Sequence, residues 1–374
     1  MRILFLQYWH DMYGGAETVN HTLATQFKKD GYDVKVECMY VCGKNENIDD
    51  VIYKKEYICA EPKRPSYKIM IKNLYKFRFQ EFFLSLKECF CVKRKKINSY
   101  IILKNRIESY NPDWIIVTNP ELIEHVPKIY LKKCFIHIHS ACEVYLKDKS
   151  LKKIKKILYK YQNKVNKLIW LTESFMEEGK YYGLYNCTYI YNPVRIRSDK
   201  VSKLNTNNAV FIGRIAPVKR VYLLTKIFSR LSISDNKWNL NIYGSGEDKN
   251  IVLNENVKLC GSISDVKRVL LNSSIFCLTS SSEGFPMVVL EAYECGVPVI
   301  TFDFKTSCVE VVKNGETGFV VKMDDEEEYL NKLTELCNNK KLRQEMGKNA
   351  KEYVKKFYPE EVAKSWYKLF KGEL

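Results

Sequence analysis

The sequence lacks the patterns that mark several large protein classes. The number of its cysteines, 13, is odd and no two of them form a Cys-x-x-Cys pair, so the sequence predicts neither a disulfide framework nor a zinc site. No stretch offers the ~18 uncharged apolar residues of a membrane span, and polar residues follow Met1 too soon for a signal peptide. We therefore expect a cytoplasmic protein that does not span a membrane.

Acidic residues are scarce relative to basic ones, especially in the first half of the chain. The net charge is +17, of which residues 1–200 carry +14. Such an excess attracts nucleic acid, an anionic membrane surface or a phosphorylated substrate without distinguishing among them. Because no nucleic-acid recognition motif accompanies the charge, we expect no nucleic-acid partner.

The length of 374 residues predicts two domains, since single hydrophobic cores stop growing near ~250 to 300 residues. Short apolar runs alternate with longer amphipathic stretches, which predicts an α/β fold with parallel sheets. The predicted strands lie at residues 3–6, 34–36, 114–117, 135–138 and 168–171, and at 209–212, 240–243, 257–259, 275–278 and 297–301. A polar, aperiodic stretch follows Asn192, so we predict domains over 1–192 and 193–356. The final segment is 357–374.

One segment of the second half has the features of a phosphate-binding helix start. From Ser280 it reads Ser-Ser-Ser-Glu-Gly-Phe-Pro-Met-Val-Val-Leu-Glu-Ala-Tyr-Glu-Cys-Gly-Val-Pro. Its first proline suits an initial helical turn and its second glycine a helix end, which predicts a helix over roughly 286–295. Backbone N–H groups at such a start can hold a phosphate without a metal. Candidate donor contacts here are Phe285, Pro286 and Met287.

Two carboxylates accompany this predicted helix. Glu283 precedes its start, and Glu291 lies within it among apolar residues. A buried carboxylate needs hydrogen-bond donors, and the hydroxyls of a ribose would supply them. The alternative is structural: Glu283 would be a charge favoured by the helix dipole, and Glu291 one half of an ion pair.

A basic constellation follows the first strand of the second half. Gly213 permits a sharp exit from the strand, and Arg214 and Lys219 would stand at its carboxyl edge. Open α/β sheets bind ligands at this edge, and two cations there could neutralise a diphosphate leaving group. Solvated surface charge is the alternative.

Two glycine pairs are weaker signals. Gly14 and Gly15 open a helical pattern after the first strand, where they would allow close approach to a phosphate or sugar, or form an ordinary turn. Gly244-x-Gly246 lacks the third glycine of a dinucleotide fingerprint. It predicts a nucleotide loop but no NAD site.

Two histidines alternate at the end of one predicted strand, so both lie on one face. These are His137 and His139. Without further ligands at suitable spacing, we favour His139 as a substrate contact over a metal pair. Packed, neutral histidines are the commoner alternative.

Together these motifs resemble those of the retaining glycosyltransferases of family 4, over nearly the whole chain. The matching motifs are Glu283-x7-Glu291, Gly213-Arg214 with Lys219, Gly244-x-Gly246 and, more loosely, Gly14-Gly15 and His139. The resemblance implies the GT-B fold, in which two Rossmann-like domains with parallel sheets face each other across a cleft. It also implies that the C-terminal helix, within 357–374, returns to the first domain.

The resemblance implies a nucleotide-diphosphate sugar donor, for which we favour UDP, and no metal or other cofactor. It places Arg214 and Lys219 on the diphosphate and Glu291 on the ribose. Glu283 and His139 would contact the transferred sugar.

The same resemblance implies a reaction and an acceptor class. A hexose or N-acetylhexosamine would pass, with retention of anomeric configuration, to a glycan or lipid-linked acceptor in bacterial surface polysaccharide synthesis. Stabilising the departing diphosphate would be the main catalytic task. The backbone N–H of Gly15 would approach that diphosphate from the first domain.

The chain departs from the family pattern at three places. Arg220 stands where the family often has glycine, and Ser140 stands where an acidic residue is frequent. The family's Gly-Pro-x-Glu is replaced by a segment that ends at Glu310, so the role of this glutamate transfers only loosely. Two rival functions remain open: a sugar-nucleotide epimerase of similar fold, and a non-catalytic binding partner.

Two basic stretches suggest contact with an anionic membrane at its inner face. The first runs from Lys63 to Lys96, within a predicted helical insertion that ends at Tyr110. The second, Leu151 to Lys160, places lysines beside an apolar stripe that continues to Tyr161. This pattern fits an interfacial helix or a core-packed helix with a solvated lysine face.

Overall fold

The computed structural model describes residues 1–9, 15–40, 100–234, 237–246, 248, 250–304 and 307–374. Gly14, the stretch from Lys63 to Lys96 and most of the predicted insertion lie outside these residues. The end of the predicted insertion, residues 100–110, is helical.

The first sheet has six strands in the order β2-β1-β3-β4-β5-β6. They are β1 (Arg2–Trp9), β2 (Asp33–Tyr40), β3 (Trp114–Val117), β4 (Cys134–His137), β5 (Lys167–Trp170) and β6 (Cys187–Tyr189). Buried apolar residues dominate the middle strands, as expected for a parallel sheet that is covered on both faces.

The second sheet also has six strands, in the order β12-β11-β10-β7-β8-β9. They are β7 (Asn208–Ile212), β8 (Asn239–Tyr243), β9 (Val257–Gly261), β10 (Ile275–Leu278), β11 (Val299–Phe302) and β12 (Gly318–Val321). All neighbouring pairs are parallel. Read from the β9 edge, this is the doubly wound order of a Rossmann fold.

Helices connect the strands. Besides residues 100–110, which we label α2, the α-helices are α1 (Gly15–Lys29), α3 (Cys142–Lys147), α4 (Lys152–Tyr161), α5 (Glu173–Tyr181), α6 (Val221–Ser234), α7 (Val266–Leu271), α8 (Met287–Glu294), α9 (Cys308–Val311), α10 (Glu326–Asn338), α11 (Lys340–Tyr353) and α12 (Pro359–Phe370). Short 3-10 helices lie at Pro120–His125, Lys128–Lys133, Lys149–Leu151, Pro217–Lys219 and Val354–Phe357. Among the helices that the structure describes, none combines the length and hydropathy that a membrane crossing requires.

The chain divides into two compact units. One contains residues 1–138 and 153–169, and the other contains residues 139–152 and 170–374. The predicted domain limits at residues 192 and 356, and the return of the last helix to the first domain, stay predictions.

The predicted α/β fold with two parallel sheets is confirmed. Each of the ten predicted strands overlaps a strand of the structure, and the helix predicted at 286–295 is α8, Met287–Glu294. Two strands were not predicted. β6 has only three residues, and β12 begins with Gly318, so neither gives a long apolar run.

The apolar stripe beside the second basic stretch is not available to a membrane. Ile154 and Leu158, at its centre on α4, are buried within the protein, whereas Lys152, Lys153 and Lys156 are exposed. The core-packed alternative is therefore right for this stripe. Any membrane contact of α4 would have to rest on its lysines.

Candidate functional site

The second sheet reverses its strand order between the neighbours β7 and β10. In doubly wound folds, ligands bind outside the carboxyl ends of the strands at such a reversal. The loops that leave these strands, residues 213–220 and 279–286, contain six of the predicted site residues: Gly213, Arg214, Lys219, Glu283, Phe285 and Pro286. The topology therefore brings both sequence constellations to one place.

Lys219 and Glu283 form an ion pair across these two loops. The Lys219 Nζ lies 2.6 Å from Oε1 and 2.8 Å from Oε2 of Glu283. The Ser280 hydroxyl donates to the same Oε1 at 2.6 Å. The side chains of Lys219 and Glu283 are only 20% and 9% exposed, so the pair is largely shielded from solvent.

The turn that carries Lys219 is held by hydrogen bonds to its backbone carbonyl groups. The hydroxyl of Thr279 donates to the carbonyl oxygens of Lys219 and Arg220, at 3.0 Å each, and the Ser281 N–H donates to Val218 O at 2.9 Å. Arg220 has left-handed backbone angles, φ 51° and ψ 43°. Glycine adopts this conformation without steric cost, which explains why glycine is frequent at this position in the family that the sequence resembles.

Arg214 lies in the same loop as Lys219 but in a different environment. Its side chain is exposed, and it forms no ion pair with the residues that the structure describes. The preceding Gly213 donates its N–H to Tyr243 O at 2.9 Å, which joins this loop to the end of β8. Arg214 is thus a cation available to an anionic ligand.

Glu291 is fully buried on α8, as predicted, but its partner is a protein side chain. Both of its oxygens face the guanidinium of Arg195, whose Nη2 donates to Oε2 at 3.1 Å. Burial raises the pKa of Glu291, and the charge of Arg195 opposes this rise. Arg195 was not predicted, because a single arginine in a polar linker has no distinctive pattern.

Gly244 and Gly246 allow two loops to touch through their backbones. An added Cβ at Gly244 would lie 1.8 Å from the carbonyl oxygen of Gly213, and one at Gly246 would lie 2.0 Å from that of Ile215. Ile215 N–H also donates to Ser245 O at 2.8 Å. The pair therefore has a structural function, independent of any nucleotide.

The start of α8 is apolar and well packed. The Phe285 ring lies 6.0 Å from that of Tyr191 and 5.8 Å from that of Phe357, between ring centroids. Pro286 is buried and Met287 partly exposed. Of these three predicted donor contacts, Met287 leaves the most surface to a ligand.

The comparison with protein families agrees with this geometry. Residues 195–353 match the model described as Glycosyl transferases group 1. This segment of the chain contains the loops after β7 and β10 and helix α8. Over this part of the chain, the sequence is similar to the group 1 glycosyltransferases.

Individual glycosyltransferases are similar over most of their length. An uncharacterized glycosyltransferase of Haemophilus influenzae is 24% identical, over 94% of this chain and 95% of its own. An alpha-1,4-N-acetyl-D-galactosaminyltransferase of Campylobacter jejuni, whose name specifies a glycan on PP-undecaprenol, is 24% identical over 81% of this chain and 84% of its own. The crystal structure of Anabaena HepE in complex with UDP superposes with a TM-score of 0.73 at 14% identity, and the match covers all of both chains. The fold is therefore GT-B.

Glu310 is engaged in a structural contact. Its carboxylate accepts the N–H groups of Glu173 and Ser174, at 3.0 and 2.9 Å, and the hydroxyl of Tyr191 at 3.0 Å. A carboxylate is favoured here because these N–H groups form the positive end of α5. The contact gives Glu310 a role without any donor.

The remaining predicted contacts come from the first half of the chain. Burial lowers the pKa of His139 to about 3, so its imidazole is neutral at physiological pH. An added Cβ at Gly284 would lie 2.9 Å from the His139 carbonyl oxygen, which brings this histidine beside the Glu283 loop. Gly15 is exposed at the first residue of α1, and Gly14 lies outside the described residues.

Proposed function

We propose that this protein is a glycosyltransferase that moves a hexose or N-acetylhexosamine from a UDP-sugar to a glycan or lipid-linked acceptor in surface polysaccharide synthesis, with retention of configuration. The shielded Lys219–Glu283 pair at the strand reversal of the second sheet is the main support. The UDP bound in the similar HepE structure supports UDP as the donor nucleotide. The glycan on PP-undecaprenol in the name of the Campylobacter relative supports a lipid-linked glycan as acceptor.

The donor diphosphate would bind to Arg214 and Lys219. In the transfer, the bond from the anomeric carbon to the diphosphate oxygen breaks and an acceptor hydroxyl bonds to that carbon on the same face. The acceptor proton passes to the departing diphosphate. Negative charge grows on this group in the transition state, and the two cations stabilise it there.

Glu283 would accept a hydrogen bond from the donor sugar while Ser280 fixes one of its oxygens. Lys219 would then be shared between this carboxylate and the diphosphate. Glu291 would accept the ribose hydroxyls, while the charge of Arg195 favours its ionised form against the effect of burial. The backbone N–H of Gly15 would also contact the diphosphate, and His139 would contact the transferred sugar. Gly14 would allow close approach of the donor.

Incubation of the purified protein with a panel of UDP- and GDP-sugars, with and without lipid-linked acceptors, tests this function. A glycosyltransferase releases UDP at a rate that depends on the acceptor. An epimerase would convert the donor into a new sugar nucleotide without any acceptor, and a non-catalytic partner would bind donor without turnover. Either of the last two results contradicts the proposal.

Transfer is expected to continue in the presence of EDTA. Arg214 and Lys219 already supply positive charge to the diphosphate, and the sequence contains no Asp-x-Asp triplet to hold Mn²⁺ or Mg²⁺ against a nucleotide sugar. The measurement is the initial rate before and after chelation. Complete loss that Mn²⁺ or Mg²⁺ restores would overturn this expectation.

The first domain is proposed to contact anionic membranes through exposed lysines, in line with the cytoplasmic, peripheral location expected from the sequence. Since the apolar side of α4 is buried, we expect purely electrostatic binding. Each lysine near an anionic leaflet contributes ~1 kcal/mol, and salt screens it over ~8 to 10 Å. Co-sedimentation with anionic vesicles should therefore be strong at low salt and fully reversed by high salt.

Replacement of Lys152, Lys153, Lys155 and Lys156 by glutamate should abolish most of this binding. Vesicles of neutral lipid are the control, and they should not bind the protein. Binding that survives the four replacements would show that α4 is not the docking surface.

A further inference from the structure

A non-glycine residue with left-handed backbone angles directly follows the proposed diphosphate-binding lysine. Among the described residues, only Asn111, Leu204, Arg220 and Asp324 combine a side chain with a positive φ. This conformation is unfavourable for residues with a Cβ and persists where surrounding contacts hold it. Arg220 and Asp324 hold each other, because their side chains form an ion pair.

The side chain of Arg220 is fixed at several points. Its Nη2 contacts the carboxylate of Asp324, and its Nη1 lies 3.0 Å from the sulfur of Met323. The guanidinium also lies 5.5 Å from the ring centroid of the buried Phe302. Only 15% of the Arg220 side chain is exposed.

These contacts act on the backbone of Lys219. The Thr279 hydroxyl donates to the carbonyl oxygens of both Lys219 and Arg220, so it links the backbones of the two residues. A change in the φ and ψ angles of Arg220 would therefore rotate the peptide group that leads out of Lys219. The Lys219 Nζ is held against Glu283 by the same turn.

We propose that Arg220 and Asp324 are positioning residues, whose ion pair holds the turn at Lys219 in the geometry that serves the donor diphosphate. The proposal rests on the proposed function, because it assigns Lys219 to that diphosphate. Asp324 is 68% exposed, and ion pairs of this kind contribute little to stability. The pair should therefore matter for geometry more than for folding.

Arg220→Asn and Asp324→Asn test the proposal. Asparagine tolerates left-handed angles better than most residues, so each variant removes the ion pair without an added backbone clash. Each should lower kcat about tenfold, because small displacements of a catalytic group are costly. The UDP dissociation constant should stay within about twofold of wild type, and the double variant should be no worse than either single one.

The chain offers a matched control pair on neighbouring elements. Arg230 on α6 donates to Glu327 on α10 at 2.7 Å, and both residues lie within helices. Arg230→Gln and Glu327→Gln should leave kcat at the wild-type value. An equal loss in the control pair would overturn the proposal, since it would indicate general sensitivity to lost surface ion pairs.

Hydrogen exchange of the backbone N–H groups of residues 218–220 gives a readout that does not depend on transfer. Exchange should rise in Arg220→Asn and Asp324→Asn, and not in the control variants, whether or not the wild type transfers sugar from UDP. Failure of the proposed function would thus appear as absent wild-type transfer, separately from the state of the turn. Wild-type exchange and wild-type kcat in both asparagine variants would refute the positioning role.

Discussion

Replacement of Lys219 by alanine is expected to lower kcat on the order of 100-fold while donor binding weakens much less. Arg214→Ala should behave similarly. In the proposed function, both cations would contact a diphosphate whose negative charge is larger in the transition state than in the bound donor. Steady-state kinetics with a UDP-sugar, together with calorimetric titration of UDP, separates the two effects.

Lys226→Ala is the matched control for this experiment. Lys226 also forms an ion pair with a glutamate, Glu326, at 2.8 Å, but its side chain is 57% exposed on α6. Its removal should leave kcat unchanged. If Lys219→Ala and Arg214→Ala turn over donor as fast as this control, neither cation stabilises the leaving group.

The second large effect concerns Glu283 and Glu291, whose replacement by alanine should impair different steps. Glu291→Ala is expected to weaken binding of free UDP, because the ribose loses its acceptor and Arg195 loses its partner. Glu283→Ala should leave UDP affinity near wild type and lower sugar transfer, because its carboxylate is proposed to contact the hexose. Calorimetry with UDP and initial rates with the UDP-sugar make the comparison.

Removing Glu291 also leaves a partly buried guanidinium without its counter-charge, which can cost ~3–5 kcal/mol of stability. Arg195→Ala and the double variant with Glu291→Ala control for this cost. If the double variant recovers stability and still binds UDP weakly, the ribose assignment holds. Equal UDP affinity in the wild type and a folded Glu291→Ala variant would reject it.

The sequence was sufficient for the architecture because buried parallel strands appear as apolar runs between helices. It also predicted that Lys219 and Glu283 lie in loops that follow strands, since each residue comes after such a run. Their direct contact could not be read from the sequence, because the two residues are 64 positions apart and meet only through the strand order.

Other features of the site depend on contacts that have no local signature. The presence of Arg220 in place of a family glycine was visible, but its left-handed angles and its partner Asp324 were not. Glu291 was correctly expected to be buried, whereas the approach of Arg195 depends on how the linker passes α8. In each case a side chain from a distant segment decides the environment.

The backbone contact at Gly244 and Gly246 has a practical consequence for enzyme engineering. Any side chain at either position would collide with a carbonyl oxygen of the neighbouring loop, so randomising them would mostly yield unfolded clones. A library built to alter sugar preference should keep both glycines fixed.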